Sequence, residues 1–244
     1  AYYYWYLQSL YAKDYNESTA STDLSVPLSL TPDLEAELTR ATIAEVTQQI
    51  WSDLEGAEDY LPDVATNNYR PTKGAVYALK ARILFYEHKY DEAAEQAKLA
   101  LQTNSELQDM RTWSFKNEGK PSSGINGRPT NYYQSPEKIW YMSNGFPSLI
   151  TSFCISDDLQ SLFKESDLRF KFYFSNRDRR GNLWEDGRYR YLQNLDYSFG
   201  VPEMMLIEAE SLARNNDSKA LDILNAIRQK RFTDADYQPL TAAD

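Results

Sequence analysis

The chain has 244 residues, enough to bury a sizeable core as one large domain or two small ones, and carries a formal net charge of −10. That balance argues against a nucleic-acid partner, because phosphate binding needs clustered Lys and Arg. No apolar stretch approaches the ~20 residues of a membrane span, and a single cysteine, Cys154, excludes an internal disulfide and a Cys-based zinc site.

Residues 1–14, AYYYWYLQSLYAKD, lack the form of a signal peptide and read as the start of a mature or trimmed chain. They predict a helix with Tyr3, Leu7, Leu10 and Tyr11 on one face. A long polar loop is expected over 15–39. Thr42 and Glu45 then form a Thr-x-x-Glu capping box. Behind it Ile43, Val46, Ile50, Leu54, Ala57 and Leu61 make the buried stripe of a helix that Pro62 stops.

Residues 70–101 predict two helices packed back to back. Val76, Leu79, Ile83 and Tyr86 recur at helical spacing, His88-Lys89-Tyr90 turns the chain, and Asp91 is the expected N-cap. Ala93, Ala97, Ala100 and Leu101 line the second helix. Ala81, Ala93 and Ala100 follow the small-residue spacing of tetratricopeptide hairpins, where antiparallel helices approach closely. A third hairpin is expected over 202–215 and 217–231. Pro202 suits its first turn, Met205, Leu206, Ala209, Leu212 and Ala213 form one face, and Ala220, Leu221, Leu224 and Ile227 line the other helix.

Residues 104–200 break the helical pattern. GKPSSGINGRPTN is a loop by composition, KIWYMS a strand, DDLQSLF a short helix, and RFKFYFSN and GRYRYLQN alternate as strands do, with a tight turn expected at Asp186-Gly187. The fold class is therefore mainly α: tetratricopeptide-like hairpins as scaffold, with a loop-rich insert containing short strands. Long irregular inserts tend to be functional, so the site is expected there.

Four stretches, in order, resemble the SusD/RagB-like outer-membrane nutrient-binding lipoproteins of Bacteroidetes. They are TIAEVTQQIWSDLEGAEDYLP (42–62), the segment 69–101 with Thr72-Lys73-Gly74-Ala75 and Ala81-Arg82, Asp167-Leu168-Arg169, and EMMLIEAESLARNNDSKALDILNAIRQKR (203–231). The chain departs from that family in being shorter. It also lacks the lipidated N-terminal cysteine and the Arg-, Glu- and Gly-rich segment that follows the last hairpin, which points to truncation at one or both ends. The resemblance implies a single SusD-like domain over 1–244. Within it lie helical hairpins to 103, a ligand-region insert over 104–200, a hairpin over 201–231 and a tail over 232–244. It also implies surface capture of a glycan, or of a peptide in the RagB-like branch, and delivery to a SusC-like TonB-dependent transporter. Membrane contact would be through a lipid anchor only, with no cofactor.

Sugar recognition needs flat aromatic faces flanked by hydrogen-bonding groups. The chain has 19 Tyr and 5 Trp against 10 Phe, a bias towards amphipathic rings, although most are expected to be hairpin packing. The candidates in irregular regions are Trp184 with Arg188, Trp113, Tyr132, Tyr133, Tyr15 and Asn16. Catalysis is not expected. Asp157-Asp158 and Glu185-Asp186 are adjacent acids without an apolar pocket to raise a carboxyl pKa, and the lone His88 has no triad to join. Asn176-x-Asp178 with Gly181 is a polar turn rather than a calcium loop, because Arg180 and Gly187 occupy ligand positions. A tetratricopeptide-type peptide or protein adaptor is the competing class, and it leaves the insert unexplained.

Overall fold

A computed structural model of the chain describes residues 1–33, 35, 37–129, 131–142, 153–192 and 197–243, the Tyr132 side chain excepted. The fold is mainly α, with eight α-helices and four two-stranded sheets among the described residues.

Helix α1 (Tyr2–Tyr11) presents to the core the opposite face from the one its sequence suggests. Tyr2 packs edge-on against Trp140 and Phe199, and Trp5 against Tyr86. Tyr3, Leu7, Leu10 and Tyr11 all point outward, Tyr3 at 73% exposure. In a helix apolar nearly all round, periodicity cannot say which arc is buried. The expected 15–39 loop is partly ordered too. Strand β1 (Leu24–Pro27) pairs antiparallel with β2 (Arg40–Thr42). Ser25 and Val26 are buried there, and the Ser25 hydroxyl donates to Gln8 Oε1 at 2.8 Å.

The capping box is present at the start of α2 (Ile43–Tyr60). Glu45 N–H donates to Thr42 Oγ1 at 3.2 Å, and Thr42 N–H donates to Glu45 Oε2 at 2.8 Å. Ile43, Val46, Ile50 and Leu54 are buried beneath it. Helix α3 (Lys73–Tyr86) is buried on most sides, and α4 (Tyr90–Thr103) lies against it through Ala93, Ala94, Ala97 and Ala100. Ala81, Ala93, Ala97 and Ala100 are fully buried, so the small-residue spacing marks the close approach as expected.

Asp91 is not the cap of α4. Lys89 occupies that position without a side-chain bond, and Asp91 sits in the first turn, reaching across to the third hairpin. Its Oδ1 accepts from Ser211 Oγ and Asn215 Nδ2, both at 2.8 Å. The hairpin of α7 (Val201–Arg214) and α8 (Lys219–Gln229) thereby docks on α4 directly. Arg82 of α3 adds a bidentate ion pair to Glu203 of α7, both bonds 2.6 Å, while its guanidinium covers the Phe199 ring at 3.8 Å. The buried face of α7 is rotated from the expected one. Val201, Met204, Ile207, Ala209 and Ser211 are buried, whereas Leu206 and Ala213 are exposed. The intervening hundred residues are thus looped out of a continuous stack.

Strand β5 (Lys138–Trp140) pairs with β8 (Phe199–Gly200) where the insert leaves and rejoins the helices. Arg231 pairs with Glu137 at this neck. Within the insert, β3 (Ser114–Phe115) pairs with β4 (Ile125–Asn126), and the short helix α5 (Asp157–Ser161) is capped by Ser156. RFKFYFSN is not a strand. It forms α6 (Leu168–Tyr173), capped by Asp167, and only then β6 (Phe174–Ser175), which pairs with β7 (Arg190–Tyr191). One turn of helix buries Leu168 and Phe172 in a second core with Met110, Trp113 and Phe115, so helical burial prevails over the alternating pattern. The 232–243 segment folds back on α8 through Asn225, which bonds the Leu240 N–H and carbonyl at 2.7 and 3.0 Å.

Candidate functional site

The insert carries two adjoining cavities over β6. The first, about 430 Å³, is lined by Phe163, Phe170, Phe174 and Tyr189, with Gln160, Glu165, Lys171 and Asn176 among its polar members. Its rings brace one another: Phe170 lies 4.8 Å from Tyr189, and Phe163 5.5 Å from Phe174. The second, about 230 Å³, is lined by Trp184, Tyr191, Arg177, Arg179, Arg180 and Arg190. Ser175 and Arg177 border both, which makes them one groove with an aromatic half and a cationic half.

Local turns fix the cationic half. Asp178 N–H donates to the Asn182 carbonyl at 2.8 Å, and the Asp178 carboxylate accepts from the N–H groups of Arg180 and Asn182. Burial pushes the Asp178 carboxyl up, but these N–H bonds outweigh it and hold it below its ordinary value. The loop's own amides serve where a calcium loop would use a cation, and among the described residues no group of three or more metal-ligating side chains gathers. Gly181 sits at φ +98°, and a Cβ there would lie 2.7 Å from the Gly119 carbonyl oxygen, so this turn is seated against the 117–124 loop.

Trp184 begins the next turn, closed by Gly187 N–H to Trp184 carbonyl at 2.9 Å with Gly187 at φ +67°. The turn thus spans 184–187 and includes the expected Asp186-Gly187 pair. Arg190 lies over the indole at 4.1 Å and pairs through two bonds, 3.0 and 2.7 Å, with Asp186. Arg190's hydrogen bonds hold the Asp186 carboxyl below its usual range, with the Arg188 N–H adding to the effect. Asp157 is 97% exposed, so neither acid pair offers a carboxyl in an apolar pocket of the kind a glycosidase acid needs.

The other expected residues are dispersed. Arg188 is half exposed, donates to the Ile155 carbonyl at 3.2 Å and contributes no wall to the groove. Trp113 is 9% exposed and meets Phe172 edge-on at 5.6 Å in the second core, so its ring faces are taken by protein. Tyr132 opens a single 3-10 turn, Tyr132–Gln134, and its side chain lies outside the described residues. Tyr133 joins a separate aromatic cluster, 4.7 Å from the half-exposed Tyr69 and 6.4 Å from the buried Tyr141. Tyr15 borders a small cleft beside α1, and Asn16 closes an Asx turn by accepting from Ser18 N–H and Oγ. Sequence reasoning missed Phe163, Phe170, Arg177, Tyr189 and Tyr69. For Phe170, Arg177 and Tyr189 the signal available was the density of rings and arginines in RFKFYFSNRDRR and RYRY.

The sequence model of the SusD-like family, described as starch-binding and associating with the outer membrane, matches residues 1–85. No curated protein matches the chain. Among solved structures, a SusD superfamily protein of Bacteroides thetaiotaomicron aligns over 98% of this chain and 58% of its own, at TM-score 0.69 and 17% identity. A SusD-like carbohydrate binding protein of Bacteroides vulgatus aligns over 97% and 54%, at 0.63 and 18%. Surface glycan-binding protein A of Bacteroides uniformis aligns over 88% and 56%, at 0.60 and 20%. The chain therefore spans just over half the length of the structures it matches. Its first 85 residues match the sequence model of the SusD-like family, and its fold is similar to that of SusD superfamily proteins over nearly its whole length.

Proposed function

We propose that this chain binds a glycan without catalysis at the cell surface and passes it to a SusC-like, TonB-dependent transporter, held to the outer membrane by a lipid anchor. The observation that supports this most is the groove over β6. It combines ring faces that pack on sugar C–H surfaces with guanidinium and amide donors for hydroxyls. Two of the similar structures are proteins described as carbohydrate or glycan binding. No described helix is long and apolar enough to cross a membrane. Each contact is modest and part-solvated, so affinity should be weak and rise with ligand length.

Calorimetric titration with a panel of oligosaccharides tests the reading. A glycan should bind, and Trp184→Ala should weaken it roughly two- to twelvefold while the helical circular dichroism stays unchanged, because a stacked ring contributes about 0.5–1.5 kcal/mol. Unchanged affinity would remove Trp184 from the site. Retention of no glycan, together with tight capture of a soluble protein, would favour the adaptor class. Copurification with a neighbouring TonB-dependent transporter tests the delivery step.

A further inference from the structure

We infer that the glycan is an acidic one, bearing uronate carboxylates or sulfate esters, and that its anionic group is received in the Trp184 cavity by Arg177, Arg179 and Arg180. The inference rests on the glycan-binding reading and specifies its ligand. Five arginines fall between positions 177 and 190 of a chain whose net charge is −10. Four of them line one cavity of about 230 Å³.

Their pairing separates structural from available charge. Arg190 is neutralised by Asp186 and spends its face on the indole. Arg177 gives one N–H to the Gly181 carbonyl at 2.9 Å, leaving further donors of its fork. The side chains of Arg179 and Arg180 have no carboxylate or hydrogen-bond partner among the described residues. Asp178, the acid at this wall, already accepts three hydrogen bonds from its own loop. Arg177, Arg179 and Arg180 share the cavity wall with one acid, Asp178, so positive charge is in excess there, and an anion placed between the guanidiniums relieves their repulsion.

The chemistry of the donors narrows the ligand. Guanidinium forks match the paired oxygens of carboxylates and sulfates, and the wall carries no lysine. A neutral sugar would need the ring and a few amides but not this charge. Preorganisation comes from the seating of the 178–182 turn, where Gly181 touches the 117–124 loop and Ser122 Oγ reaches the Arg179 carbonyl at 3.5 Å.

The test is a glycan array carrying neutral oligosaccharides beside uronate and sulfated ones, each acidic glycan paired with its methyl-esterified or desulfated form. The expected result is binding to an acidic member at least tenfold tighter than to its neutralised partner. The two acidic arms distinguish carboxylate from sulfate. R179A/R180A should remove most of that preference, and raising sodium chloride from 50 to 500 mM should weaken acidic binding selectively. K98A/R214A, which removes the same charge from the exposed helical scaffold, should leave the preference intact. Equal affinity for acidic and neutral forms, or R179A/R180A behaving like K98A/R214A, would overturn the acidic assignment while leaving glycan binding in place. Failure to bind any glycan would overturn both.

Discussion

Gly74 tests the helix packing directly, because two opposing effects act there and the structure decides between them. Gly74 lies in the first turn of α3 and is buried against α4. In an isolated helix Gly→Ala stabilises by about 1 kcal/mol. Here an added Cβ would stand 2.2 Å from Thr103 Oγ1, 3.1 Å from Thr103 Cβ and 3.4 Å from Ile139 Cγ2. The hydroxyl cannot turn away freely, since it donates to the Ala100 carbonyl at 2.7 Å, and the Thr103 Cβ moves only with the backbone. Overpacking of this kind costs about 1–3 kcal/mol, and separating two helices joined through alanines lies at the upper end. Gly74→Ala should therefore destabilise by about 1–2 kcal/mol net. That is a fall in Tm of roughly 2–8 °C for a domain of this size. Adding Thr103→Ala removes the 2.2 Å contact and should recover about half of the loss, a coupling that a double-mutant cycle reads in urea denaturation. A Gly74→Ala variant as stable as the parent, or more stable, would refute the close approach of α3 and α4.

Glu203→Gln should cost about 2 kcal/mol in urea denaturation, because Arg82, only 15% exposed, would lose its bidentate partner; a loss below about 0.5 kcal/mol would make the pair incidental. Asp109 governs an acid-side dependence. Hydrogen bonds from Arg111 first, and from Lys230, hold its carboxyl well below the ordinary range. A depressed carboxylate contributes stability that is fully present above its unfolded pKa near 4 and lost as pH falls through the folded value. Asp109→Asn should thus be about 1 kcal/mol less stable at pH 7, with the gap closing below roughly pH 4. A gap at pH 2 as large as the one at pH 7 would contradict this.

The scaffold was readable because it is made of small residues and caps. Ala81, Ala93, Ala97 and Ala100 stand at the contact for the reason their spacing implies, and Thr42 with Glu45 closes the box that the motif announces. What was not readable depended on partners distant in sequence. Asp91 looks like a cap until Ser211 and Asn215 arrive 120 and 124 residues later. Both α1 and α7 carry more apolar residues than one face needs, so only their neighbours select the arc. RFKFYFSN alternates over too few residues for periodicity to separate one helical turn from a strand. Within the site, Trp184 was reachable from its polar neighbours, whereas Phe163 and Phe170 join the groove through the α6–β6 corner. Trp113 was misjudged because an indole in an irregular segment can serve a core as well as a ligand.

The docking of α7 on α4 has a consequence for how recognition and scaffold divide. The helices close on one another through Asp91, Arg82 and the alanine seam. The insert is held at its neck by β5–β8, Glu137 and Arg231, and it keeps a core of its own around Phe172. Substitutions on the groove, such as those at Trp184, Arg179 or Arg180, therefore fall on residues that neither the helical stack nor the second core uses. Such residues can change ligand preference at small cost in stability, since distant sites with no shared partners act nearly additively. The short segments Thr72–Ala75, Ala81-Arg82 and 203–231, whose resemblance to the SusD family the sequence suggested, stay tied to packing and say nothing about the ligand.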